Sequence, residues 1–120
     1  MEVFFYSLDN QNNKVSFKSN AEYINNKLVF VDKSIESTVI QLSISSDKLV
    51  LERTGNTIMK LAFIENKSSE AYYKNEMGLE FDFIVKCNKL IITDNRIDIE
   101  YDMILDKELL SSHKIWIIMR

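Results

Sequence analysis

Proline is absent from this chain of 120 residues, and glycine occurs only at Gly55 and Gly78. Chain reversals must therefore be made by Asn, Ser and Asp, which tolerate positive φ better than most residues. Cysteine occurs once, at Cys87, so no internal disulfide can form. Histidine also occurs once, at His113, and without a second imidazole there is no zinc site of the usual spacing. No stretch approaches the ~18 apolar residues that a membrane-spanning helix needs. The opening residues Met1-Glu2-Val3-Phe4-Phe5-Tyr6 carry an acid at the second position and no long apolar run, unlike a secretory leader. The expectation is a cytoplasmic protein with no membrane partner. The net charge is −3 and the lysines and arginines are scattered, which argues against nucleic acid, whose non-specific binding rests on clustered cations.

What the chain does have is alternation. Leu79, Phe81, Phe83, Val85 and Cys87 occupy every second position, with Glu80, Asp82, Ile84 and Lys86 between them. Ile97, Ile99, Tyr101, Met103 and Leu105 do the same against Asp98, Glu100 and Asp102. Only an extended strand places i, i+2 and i+4 on one face, so the pattern predicts half-buried antiparallel sheet. Hydrophobic content of 46% suffices for the core of a single domain spanning 1–120.

Hairpin partners share a face, so each turn can be tested by pairing apolar with apolar. Two-residue turns at Asn25-Asn26, Ser45-Ser46, Asn88-Lys89 and Asn95-Arg96 all satisfy the test. A three-residue loop, Thr54-Gly55-Asn56, sets Leu51 opposite Met59 and Leu49 opposite Leu61. Strands are expected near 2–8, 14–24, 27–32, 37–45, 48–53, 57–65, 68–74, 79–87, 90–94, 96–105 and 112–119, with one helical turn near 106–112. Successive strands with one apolar face curl until they close, which removes exposed edges. The predicted fold is all-β: an antiparallel up-and-down barrel of about 8–10 strands, with a two-sheet sandwich as the alternative.

Few residues suggest chemistry. Arg53 shares the inward face of Leu49 and Leu51 at a strand end, which puts it near a barrel mouth. Two readings compete there. Either the arginine plugs the mouth, resting on an aromatic ring and hydrogen-bonded to strand-end carbonyls, or it meets an anionic ligand group. Tyr72, Tyr73 and Tyr101 are candidates to line the interior. His113 stands near a loop, where a lone histidine is usually exposed or capping. Cys87 ends an inward run and reads as a small core residue. Asp98, Glu100 and Asp102 read as a solvated outer face rather than an acid/base pair. Trp116 has the parity opposite to Ile115, Ile117 and Met119, so the last strand either exposes apolar surface or is covered.

Several of these residues also form a pattern. Arg53-Thr54-Gly55 is followed by Tyr73, then Gly78 before Leu79-Glu80-Phe81, then Ile97-Asp98-Ile99-Glu100-Tyr101-Asp102 and a last strand opening near His113. In order and spacing, over roughly Leu28 to Met119, this resembles the YwiB-like family of small bacterial proteins. The resemblance implies a calycin-like, lipocalin-like β-barrel in the bacterial cytoplasm and no established reaction. Barrels of that kind often hold small apolar ligands.

The expected function is thus non-enzymatic binding of a small, mainly apolar ligand in or at the mouth of the barrel. Arg53, Tyr73, Tyr101 and His113 are the candidate ligand-binding residues; no catalytic residue, metal or cofactor is expected. The possible partners are a small apolar or anionic ligand, a protein, or a second copy in a homodimer. The alternative is a protein–protein interaction module whose barrel is filled by its own side chains.

Overall fold

The alternation becomes ten antiparallel strands in a computed structural model that describes residues 1–120. They are β1 (Glu2–Asp9), β2 (Lys14–Ile24), β3 (Lys27–Val31), β4 (Thr38–Ile44), β5 (Leu49–Gly55), β6 (Thr57–Phe63), β7 (Ser68–Asn75), β8 (Glu80–Ile92), β9 (Arg96–Leu105) and β10 (Glu108–Met119). Each strand pairs with its neighbours in sequence, and β1 pairs with β10. The sheet is therefore a closed up-and-down barrel with no free edge. Inward side chains meet along the axis in one core of 21 buried residues, including Phe5, Leu28, Ile40, Leu51, Phe63 and Ile117.

Face assignments held where registers did not. The Asn25-Asn26 turn pairs Tyr23 with Leu28 and Ala21 with Phe30, as expected, with both asparagines at positive φ. At Ser45-Ser46 the loop is longer, and Ile44 rather than Leu42 faces Leu49. At Asn95-Arg96, Ile92 faces Ile97. At Gly55, Leu51 faces Leu61, Leu49 faces Phe63, and Arg53 faces Met59. In all three the register is two residues from the expected one. Such a slip keeps every side chain on its face, so the apolar-to-apolar test cannot detect it.

Asn88-Lys89 is not a turn. The strand runs through it as β8, with a bulge after Cys87: Cys87 pairs with Tyr101, and Lys89 with Glu100. A bulge inserts one residue and so inverts the alternation. The sequence shows that inversion as a break between two apolar runs, which a turn also produces. Leu79, expected to lead the inward run, lies outside β8 and is 56% exposed in the β7–β8 turn. The helical turn near 106–112 is also absent. Asp106 and Lys107, both at positive φ, make a tight turn into β10, the geometry of a primed hairpin turn. A second bulge, between Leu109 and Ser111, shifts the register of β10 against β9.

Cys87 is fully buried, as read, and burial raises its thiol pKa. Trp116 is on the outer face and stacks on Tyr6 at 5.6 Å between ring centroids, while Ile115, Ile117 and Met119 point inward. No helix is long and apolar enough to cross a membrane.

Candidate functional site

Odd-numbered strands finish, and even-numbered strands begin, at one end of the barrel. The lumen is not filled there. A cavity of about 210 Å³ is walled by Met59, Leu61, Phe83, Met103 and Ile115 and takes polar groups from Arg53, Tyr101, His113 and Asp9. Three of the four expected ligand-binding residues thus converge on one space. The fourth does not reach it: Tyr73 pairs with Met59 and packs on Phe81 at 5.2 Å, outside the lining. Its neighbour Tyr72, also expected inside, faces outward and donates to Glu80 at 2.8 Å, because successive strand residues take opposite faces.

Arg53 points inward, as expected, and its partner is a residue the sequence did not flag. Its Nε donates to Asp32 Oδ2 at 3.0 Å, and its Nη1 lies 3.5 Å from Met59 Sδ. The Arg53 side chain is 14% exposed and that of Asp32 is fully buried. The expected carbonyl partners and supporting aromatic ring are not what hold it. Asp32 follows β3, and its carboxylate also accepts from the backbone N of Ser34 at 2.9 Å and from the Ser34 hydroxyl. Asp-Lys-Ser after a strand signals such a side-chain-to-backbone turn. Nothing in that local signal connects it to an arginine 21 residues later.

Tyr101 and His113 are paired across β9 and β10, and their rings stack with centroids 4.8 Å apart. Phe63 also packs against the tyrosine, tilted, with centroids 5.0 Å apart. Burial pushes the Tyr101 pKa up to about 12, against a small lowering by Arg53, so the hydroxyl stays a donor throughout the physiological range. Burial also lowers the His113 pKa; Asp9 and Asp102 oppose this, and Arg53 adds to it. The imidazole is therefore neutral at pH 7.

Ser111, which the sequence did not single out, places its Oγ 2.6 Å from His113 Nε2. The imidazole tautomer sets which group donates. With the ring proton on Nε2 the nitrogen donates and the hydroxyl turns to the Met103 sulfur at 3.8 Å; with it on Nδ1 the hydroxyl donates to Nε2. The pair resembles a nucleophile and base, but no carboxylate accepts a hydrogen bond from the ring to orient it for that work. Asp9 has other partners: it accepts from the backbone N of Gln11 and Asn13 and from Asn13 Nδ2. The Asn13 side-chain bond leads in holding its carboxyl below the usual range.

A crevice of about 350 Å³ adjoins the cavity, sharing Asp9, Tyr101 and His113 with it, and runs past Glu100, Asp102 and Lys114. Its carboxylates all have partners, of which only those of Glu100 are cations. Glu100 is bridged by Lys114 at 3.4 Å and by Lys89 at 4.0 Å, and Asp102 accepts from Ser112 Oγ at 2.7 Å. Asp98 is paired with Arg96 at 3.0 Å. The acidic strand is a solvated outer face, as its alternation indicated.

Fold and site together define a ten-stranded up-and-down β-barrel with a side-chain-filled middle, the Arg53-lined cavity at one mouth and a second hollow of about 340 Å³, walled by Met1, Tyr23, Ile44, Ile92 and Met119, at the other. The chain belongs to the family described as "Domain of unknown function (DUF1934)", which it matches over residues 5–117. It is similar in structure to the ywiB protein from Bacillus subtilis, with a TM-score of 0.70 and 18% identity, covering 99% of this chain and 90% of that one. At that identity the likeness speaks for the fold. No curated protein matches the sequence.

Proposed function

We propose that the protein binds one small, mainly apolar molecule at the mouth of its barrel, without acting on it chemically, in a bacterial cytoplasm. The observation that carries this reading is the convergence of Arg53, Tyr101 and His113 on an apolar-walled cavity of about 210 Å³. An apolar protein cavity of ~150 Å³ accepts benzene, and drug-sized pockets begin near 300 Å³. The ligand is therefore on the scale of a substituted ring or a short chain. Calycin-like barrels place ligands comparably, which is an analogy of fold. A cytoplasmic location agrees with the charged outer strands, since a membrane barrel carries an apolar outer band.

One observation favours the second reading, a protein-interaction module. Phe4, Tyr6, Trp116 and Ile118 lie together on the outer face of β1 and β10 and are only half-buried. A surface of this kind can bind a protein or a second copy. Native mass spectrometry of freshly purified protein separates the two. The ligand reading expects a small bound mass that is lost on unfolding and absent from a cavity-filling Met103→Phe variant. A dimer with no bound mass, unchanged by that substitution, favours the interaction module and defeats the ligand reading.

A further inference from the structure

The polar groups at the mouth can be used to choose the chemistry of the ligand, given the reading that a ligand binds there. Arg53 suggests an anion, but its charge is already matched by Asp32, which is buried at 3.0 Å from its Nε. Asp9 lines the same cavity, and its hydrogen bonds hold it in the anionic form. His113 is neutral, and its Nε2 is engaged by Ser111. The mouth therefore carries no net positive charge. An entering carboxylate would lose its hydration without a free counter-charge, a cost that pairing must offset. A cation would find only the Asp9 carboxylate, which is exposed to solvent screening and already accepts three hydrogen bonds.

Tyr101 supplies the other half. The residue is only 7% exposed, yet its hydroxyl makes no hydrogen bond within the protein. Buried hydroxyls rarely stay unpartnered. This one is not sealed off either, since no fully buried side-chain oxygen or nitrogen lacks a partner. Tyr101 lines both this cavity and the neighbouring crevice, and the influence of the Arg53 charge on its hydroxyl, Arg53 lining only the cavity, puts that hydroxyl on the cavity side. Its pKa keeps the proton in place, so it offers a donor rather than an acceptor. Arg53 has only donors to offer as well, those its ion pair leaves free. The cavity is thus apolar on its walls, short of net positive charge, and in need of an acceptor.

We propose that the mouth recognises a neutral molecule that carries a hydrogen-bond acceptor, such as a carbonyl oxygen, on a compact apolar body, with Tyr101 as the donor that reads it. The proposal deepens the small-ligand reading and rests on it.

Three probes of similar size test it: acetophenone (neutral, with a carbonyl), ethylbenzene (no acceptor) and benzoate (an anion). Binding is followed by NMR chemical-shift titration of the wild type and of Tyr101→Phe. That variant keeps the ring that stacks on His113 and Phe63. Acetophenone should bind more tightly than either other probe. Tyr101→Phe should weaken acetophenone roughly two- to tenfold, the range of one neutral hydrogen bond, and leave ethylbenzene unchanged. Benzoate as the tightest probe would overturn the proposal in favour of an anion site. Equal binding of acetophenone and ethylbenzene, or an affinity for acetophenone that Tyr101→Phe does not change, would also overturn it while leaving a small-ligand binder. If none of the three shifts a cavity resonance, the small-ligand reading fails, and the proposal with it.

Discussion

At the scale of single residues, the ion pair of Arg53 with Asp32 has a sharper consequence than a loss of hydrogen bonds. Arg53→Met keeps the length of the side chain but strands a fully buried carboxylate. Breaking a buried pair from one side costs about 3–5 kcal/mol. Urea melts should show a loss of that order for Arg53→Met, and partial recovery when Asp32→Asn is added, because the stranded charge is then gone. If the single variant were as stable as the wild type, the pair would contribute nothing to holding the mouth. Half of this device was legible in the sequence. Alternation turned Arg53 inward and the strand end put it at a mouth, but its partner sits in a loop, where no periodicity indicates which way a side chain points.

The two stacked rings titrate in opposite senses. His113 has a folded-state pKa below its ordinary 6.5, so below that pH the unfolded chain takes up a proton that the folded one resists. Stability therefore falls as the pH drops through 6.5 and below. Tyr101 has a pKa raised from 10.0 to about 12, so between those values the unfolded chain loses a proton that the folded one keeps. Stability falls again as the pH climbs through that window. Urea melts from pH 7.5 down to 5 should show a steeper loss in the wild type than in His113→Gln. Ultraviolet titration should show two fewer tyrosines ionising near pH 10 in the wild type than in its unfolded state, Tyr101 because of its burial and Tyr72 because of its bond to Glu80. Equal pH slopes for the wild type and His113→Gln would mean that the imidazole is not held neutral.

At the scale of elements, the approach of β5 to the loop before β4 depends on a missing side chain. Gly55 has φ +129°, and a Cβ there would lie 1.9 Å from the Ser37 carbonyl oxygen. The loop beneath it carries Asp32. Gly55→Ala should therefore cost at least about 2 kcal/mol in urea, through strain and displacement together. Gly78 has φ +88° but open space around it, so Gly78→Ala should cost only about 1 kcal/mol. Similar losses at both would mean that the loop yields easily. The sequence marks Gly55 as a turn residue but not as a contact, since the clash is with a segment far along the chain.

The same scale explains which part of the sheet the sequence disclosed. Faces are local: Leu49, Leu51 and Arg53 share one because they alternate. Register is not, because Leu61 satisfies the apolar pattern opposite Leu51 as well as Met59 does. The bulge in β8 is subtler, since Cys87 and Leu90 both face inward although three positions apart. One extra residue reconciles them without a turn. The Leu110 region follows the same logic, and the bulge there leaves Ser111 and His113 opposite inward-facing Met103 and Tyr101. Beyond that bulge Ser111 and His113 continue the alternation of Ile115 and Ile117; their contact was hidden because the sequence suggests a helical turn over 106–112 instead of strand.

At the scale of the whole molecule, closure rests on β1 and β10, the strands farthest apart along the chain. Their pairing is continuous from Val3 opposite Met119 to Asp9 opposite His113. It is fastened at the far end by reciprocal bonds between Glu2 and Arg120, at 2.7 and 2.8 Å. Around such a ring, every strand stands between two partners, and the order in which the chain visits them carries no structural privilege. A gene in which residue 120 is joined to residue 1 by a few flexible residues, and the chain opened between Asn25 and Asn26, should still encode the same barrel. Exposed turns tolerate new termini. The rearranged protein should keep the wild-type circular dichroism and the cavity at its mouth, while folding at a different rate, because the most distant pairing becomes a neighbouring one. If it fails to fold, the β1–β10 seam has a role in assembly that its hydrogen bonds alone do not reveal.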